Sequence, residues 1–121
     1  MAKLVLLIED DLDIQKVFSE KLKSKGFEVL LAIDASHAFH ILQEKTPSII
    51  LLDIMLPGSM NGFDFLEKIK SNPKWQGIPV LVLTNLDTER DLALKAGATD
   101  YLIKANTDVE IIAQKVIQLT S

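Results

Sequence analysis

Short apolar runs recur along this chain, and segments of helical periodicity separate them. The runs are Leu4–Ile8, Phe27–Ala32, Ile49–Leu52, Pro79–Leu83 and Tyr101–Ile103. Apolar runs of this length, bounded by turn signals, read as strands buried on both faces. Between them lie Leu12–Ser24, Ser36–Glu44, Phe63–Lys70 and Thr88–Ala96, and a last helical stretch follows Thr107 and runs to Leu119. Ile14, Val17, Phe18 and Leu22 make the inward stripe of the first helix. Ala38, Phe39 and Leu42 serve the second, and Phe63, Leu66 and Ile69 the third. Val109, Ile112, Val116 and Leu119 serve the last. Gly26 and Gly97 stand where helices end, and Thr107-Asp108-Val109-Glu110 matches a capping box with Thr107 as the cap. Strict alternation of strand and helix with short connections favours right-handed crossovers and a parallel sheet covered by helices on both faces.

At 121 residues the chain is one domain, residues 1–121, with no linker or low-complexity stretch. A net charge of −4, with Lys and Arg scattered, argues against direct nucleic-acid binding. There is no cysteine, so disulfides and thiolate metal sites are excluded. Met1-Ala2-Lys3 leads straight into the first strand, and no apolar stretch approaches the roughly 18 residues of a membrane span. We expect a cytoplasmic protein that does not enter membranes. The ordinary start and end favour a stand-alone form over a piece of a longer regulator.

Two of the apolar runs end in carboxylates. Leu4–Ile8 runs into Glu9-Asp10-Asp11, and Ile49–Leu52 runs into Asp53. In an open parallel sheet, ligands bind outside the carboxyl ends of the strands. Carboxylates gathered there repel one another unless a cation sits among them. The simplest reading is a divalent-metal site with one carboxylate free to act as a nucleophile. After the fourth strand comes Thr84 and after the fifth Lys104. All these groups converge only if the first, third, fourth and fifth strands lie side by side, as in a five-stranded sheet of order 2-1-3-4-5.

The set resembles the receiver domain of two-component response regulators, the CheY-like family. The matches are Ile8-Glu9-Asp10-Asp11, Leu52-Asp53 with Pro57 and Gly62, Leu83-Thr84, and Ala96-Gly97-Ala98-Thr99-Asp100-Tyr101-Leu102-Ile103-Lys104. The resemblance spans the whole chain. It implies the doubly wound, flavodoxin-like α/β fold, whose strand order is itself known for this family, so fold and family are one inference here. It implies that Asp53 accepts a phosphoryl group. It implies Mg²⁺ as cofactor, held by Glu9, Asp10, Asp53 and the backbone carbonyl of Met55. Lys104 would bind a phosphoryl oxygen and Thr84 would donate its hydroxyl to another. Tyr101, three residues before Lys104, would be the switch aromatic that turns inward when Thr84 moves. Such a protein is a signalling switch and not an enzyme, although it assists its own phosphorylation and slow dephosphorylation. Its partners would be a sensor histidine kinase or histidine phosphotransfer protein, and a downstream protein target.

The chain departs from the family pattern in three places. From Asp53 to Gly62 it is one residue longer, with Gly58-Ser59-Met60 in the loop. From Thr84 to Lys104 it is about two residues shorter, so the fourth helix or its entry loop must be trimmed. Ala105 follows Lys104 where the family usually has proline. A cis bond without proline costs about 2.5–4 kcal/mol, so the Lys104–Ala105 bond is expected to be trans. Met55 and Leu86, two residues past Asp53 and Thr84, are apolar at places where the family borders the path of attacking water. We therefore expect a long-lived phosphoryl group.

Each residue alone has a plainer reading. Asp10, Asp11 and Asp13 open a helix, where acids are favoured anyway, and Asp11 reads as a cap or site border. His37 and His40 lack a third ligand for zinc and read as surface residues, while Trp75 reads as structural. The plain account of the whole ordered set needs about five coincidences. A flavodoxin-like cofactor protein would need a phosphate-cradling loop after the first strand, where Glu9-Asp10-Asp11 repels anions. A haloacid-dehalogenase-type phosphatase wants an acid two residues past its nucleophile, where Met55 stands. A receiver-like interaction module that is never phosphorylated remains the alternative.

Overall fold

A computed structural model describes residues 2–121. Strands β1 (Leu4–Ile8), β2 (Glu28–Ala32), β3 (Ile49–Leu52), β4 (Val80–Thr84) and β5 (Asp100–Ile103) form one parallel sheet in the order β2-β1-β3-β4-β5. Helices α1 (Leu12–Ser24), α2 (Ala35–Glu44), α3 (Gly62–Ser71), α4 (Arg90–Lys95) and α5 (Val109–Thr120) alternate with them. The order expected from the sequence is the order observed.

Strand side chains alternate between two cores. Val5, Leu7, Ile49, Leu51, Leu81 and Leu83 face α1 and α5, meeting Phe18, Leu22, Ile112 and Val116. Leu6, Ile8, Ile50, Leu52, Val80 and Val82 face α2 and α3, meeting Leu42, Phe65, Leu66 and Ile69. β3 and β4 are buried along their whole length, because each has a strand on either side and helices above and below. Trp75 is structural as expected, with its ring 5.6 Å from that of Phe39.

Several local expectations change. Val17 is exposed, and Gln15 and Ser19 take the buried face of α1 with Phe18 and Leu22. These four follow helical spacing as well as the stripe through Val17 does, and contact with the sheet decides between them. Phe65 is fully buried, while Phe63 only packs against the edge of that core. Thr107 does not cap α5. Asp108 does, its carboxylate accepting from the Glu110 N–H at 2.7 Å. Thr107 donates its hydroxyl to the Ile103 carbonyl instead, and Glu110 binds Lys21 of α1 and Lys25 just past its end. Helix α4 has six residues where Thr88–Ala96 was expected, and its entry at Glu89 has no side-chain cap. It is the shortest of the five helices. Among the described residues no peptide bond is cis, so Lys104–Ala105 is trans as expected.

Candidate functional site

Strand register builds the site. Ile8 pairs with Leu52, so Glu9 and Asp53 leave the sheet side by side. The Asp53 N–H reaches the Ile8 carbonyl at 3.3 Å, and the Glu9 N–H reaches the Ala32 carbonyl at 2.9 Å. Thr84 pairs with Ile103, which places Lys104 just beyond the end of β5. Glu9, Asp10 and Asp53 each offer a carboxylate oxygen within 4.8 Å of the others. Glu9 and Asp53 are buried and Asp10 is exposed.

Lys104 closes the cluster. Its Nζ donates to Glu9 Oε1 at 2.6 Å and to Asp53 Oδ2 at 2.8 Å. Burial pushes the Glu9 carboxyl above its usual range, against the lowering effects of Lys104 and the Asp11 N–H, and Asp53 adds to the rise. Burial disfavours the Lys104 charge, yet its bonds to Asp53 and Glu9 more than offset that and hold its pKa above the ordinary lysine value. The ammonium is therefore an internal cation bridging two of the three acids. A donor set of carboxylates with no histidine or cysteine suits a hard ion such as Mg²⁺.

The remaining contacts hold these groups in place. Asp53 Oδ1 accepts from the Met55 N–H at 3.0 Å. Asp11 caps α1 as expected, accepting from Asp13 and Ile14 at 2.9 and 3.1 Å. Gly62 lies against the segment that follows β3, and a Cβ there would stand 2.7 Å from the Asp53 carbonyl oxygen. Gln15 escaped the sequence reading. Its buried amide donates to the Glu9 backbone carbonyl. The signal was present, because Gln15 shares a helical stripe with Phe18, Ser19 and Leu22.

Thr84 is fully buried, and its Oγ1 accepts from the Leu86 N–H at 3.4 Å. Tyr101 is buried too, its hydroxyl donating to the Leu86 carbonyl. The structure thus holds Tyr101 in the inward orientation that the sequence reading assigned to the switched form. Burial, with Glu89 and Asp87 nearby, raises the phenol above its usual pKa and keeps it a donor. Arg90 Nη1 donates to the Tyr101 carbonyl at 2.9 Å. Beside the acids lies a groove of about 690 Å³, lined by Asp10, Met55, Leu56, Phe63, Leu86 and Leu92 among others. His37 and His40 are exposed and lie apart from the acid cluster.

A parallel 2-1-3-4-5 sheet with acids, a hydroxyl and a lysine at its carboxyl rim defines a doubly wound α/β protein whose chemistry sits at the strand ends. Residues 5–116 match the response regulator receiver domain, and the chain belongs to that family. It is similar to the receiver domain of Francisella response regulator 1452, at 25% identity over 98% of this chain and 96% of that one, with a TM-score of 0.89. The chemotaxis response regulator CheY4 of Vibrio cholerae is 25% identical over 98% and 99% of the two chains, with a TM-score of 0.89. The BeF3-activated N-terminal receiver domain of Klebsiella pneumoniae RstA is 27% identical over 98% and 100%, with a TM-score of 0.85. The family is that of two-component signalling. Among the described residues no helix is long and apolar enough to cross a membrane.

Proposed function

We propose that this chain is a phosphorylation-controlled switch that takes a phosphoryl group from a phosphohistidine donor onto Asp53. The meeting of Glu9, Asp10 and Asp53 with the Lys104 ammonium at one rim carries this reading. An Asp53 oxygen attacks phosphorus, the bond from phosphorus to the donor's imidazole nitrogen breaks, and an acyl phosphate forms. Glu9, Asp10, Asp53 and the Met55 carbonyl would hold Mg²⁺. When bound, the ion would neutralise charge on the transferring group.

Lys104 leaves Asp53 as the carboxylate becomes the acyl phosphate and pairs with a phosphoryl oxygen as a flexible point charge. Thr84 donates its hydroxyl to another such oxygen. That bond exists in one state only, so it moves an equilibrium. A shift from mostly off to mostly on takes about 5.5 kcal/mol of differential interaction, within reach of a few charge-assisted hydrogen bonds. Leu86 links Thr84 to Tyr101, and Arg90 links Tyr101 to α4, so the change reaches the α4–β5 surface. The protein is a phosphoacceptor that promotes its own modification and slow reversal. It acts with a sensor histidine kinase or histidine phosphotransfer protein upstream and a protein target downstream, inside the cytoplasm.

Intact-mass measurement after incubation with acetyl phosphate and Mg²⁺ tests the proposal. One added phosphoryl group, absent from Asp53→Asn, is the expected result. An unmodified wild-type chain would favour a receiver-like module that works without phosphate.

A further inference from the structure

Asn85 follows Thr84, and Ala105 follows Lys104. The two are joined directly, because Asn85 Oδ1 accepts from the Ala105 N–H at 2.9 Å, across 20 residues of chain. The bond answers a local need. Lys104–Asn106 is a single helical turn, and the first N–H groups of a helix have no acceptor inside it. The Lys104 carbonyl accepts from the Thr107 N–H at 3.4 Å, and the Thr107 hydroxyl donates to the Ile103 carbonyl at 2.7 Å. Neither contact reaches the Ala105 N–H. Asn85 supplies the acceptor, and a proline at position 105 would leave that acceptor without a donor.

We propose that Asn85 is a positioning residue for Lys104, and that its bond makes the Thr84 strand end and the Lys104 turn move as one unit. The Lys104 ammonium bridges Glu9 and Asp53 from the end of a flexible side chain. Where that ammonium can reach depends on where its backbone is held, and Asn85 holds the next peptide. Any displacement of Thr84 toward a bound phosphoryl group is therefore passed through Asn85 to the backbone that carries Lys104. This consequence, and the phosphorylation rate among the readouts below, rest on the function proposed above.

The test compares wild type, Asn85→Ala, Lys104→Ala and the double variant. Asn85 is exposed, so its truncation leaves the core intact. Three quantities are read: hydrogen exchange at the Ala105 amide, Mg²⁺ affinity by NMR titration, and the rate of phosphorylation by acetyl phosphate at saturating Mg²⁺. Asn85→Ala speeds Ala105 exchange roughly three- to tenfold, the size of one hydrogen bond. Mg²⁺ binding tightens roughly two- to fivefold, because a loosened ammonium competes less well for the carboxylates. Phosphorylation slows roughly three- to tenfold, because the same ammonium is misplaced for the phosphoryl oxygen. In the Lys104→Ala background the truncation changes neither affinity nor rate.

Opposite signs in affinity and rate separate positioning from a merely loosened fold, which would weaken both. Unchanged Ala105 exchange, affinity and rate falling together, or an equal loss in the Lys104→Ala background would each overturn the proposal. If wild type takes up no phosphoryl group, the function proposed above fails, while exchange and Mg²⁺ affinity still decide the role of Asn85.

Discussion

Lys104 Nζ lies 2.8 Å from Asp53 Oδ2, although the two residues are 51 apart in the chain. The ammonium also reaches Glu9, so it screens two buried carboxylates from each other. Lys104→Met removes that screen. We expect a loss of about 2 kcal/mol in metal-free stability, as for lost hydrogen bonds to charged groups. Urea unfolding should show added Mg²⁺ recovering more stability in this variant than in wild type. Equal Mg²⁺ gains in the two proteins would contradict the picture of competing cations.

Gln15 holds the Glu9 peptide from within the core. Gln15→Leu strands a buried carbonyl, at a cost of about 1–3 kcal/mol. Because Glu9 and Asp10 ride on the same loop, Mg²⁺ affinity should fall as well. Partial recovery in Gln15→Arg, which restores a donor, would mark the effect as positional. Denaturation midpoints and an NMR titration measure the two effects.

Gly62 has no room for a methyl group. Its Cβ would meet the backbone oxygens of Asp53 and Ile54 at 2.7 and 2.9 Å, and no flexible side chain is there to yield. Gly62→Ala should cost about 1–3 kcal/mol, as overpacking does, and slow phosphorylation by shifting the acceptor loop. A variant with wild-type thermal stability would refute this.

Met55 and Leu86 both line the groove beside Asp53, and neither can orient a water. Met55→Asn adds an amide there. The lifetime of the phosphoryl group should shorten roughly three- to tenfold, the worth of one hydrogen bond. Loss of label from purified phosphorylated protein measures it, and equal lifetimes would remove the role given to this pair.

Glu110 titrates at about 2, held down by its bond to Lys25, then by Lys21 and Gln114. A lowered carboxyl pKa stabilises the fold above the ordinary value near 4.5, and that contribution disappears as pH falls from there toward 2. Glu110→Gln should therefore flatten the loss of stability between pH 4.5 and 2 while leaving its slope near neutrality unchanged. A side-chain NMR titration gives the midpoint directly.

The alternation of apolar runs and helical segments already determined a parallel sheet covered by helices and set Glu9, Asp10, Asp53, Thr84 and Lys104 at its strand ends, while the 2-1-3-4-5 order came with the family resemblance that their convergence supports. The reason is that buried parallel strands and amphipathic helices are written in local periodicity, and short crossovers leave few ways to connect them. Which polar groups meet across the chain was decided only by the fold. The periodicity of α1 admits a stripe through Val17 or one through Gln15 and Ser19, and the sheet beneath selects the second. The capping pattern at Thr107 was sound locally, but Ile103 claimed its hydroxyl and Lys21 and Lys25 claimed Glu110. Nothing near Asn85 in sequence points to Ala105. Local pattern reports what a residue can do over a turn or two, while contacts between distant strand ends depend on register, which exists only once the sheet has formed.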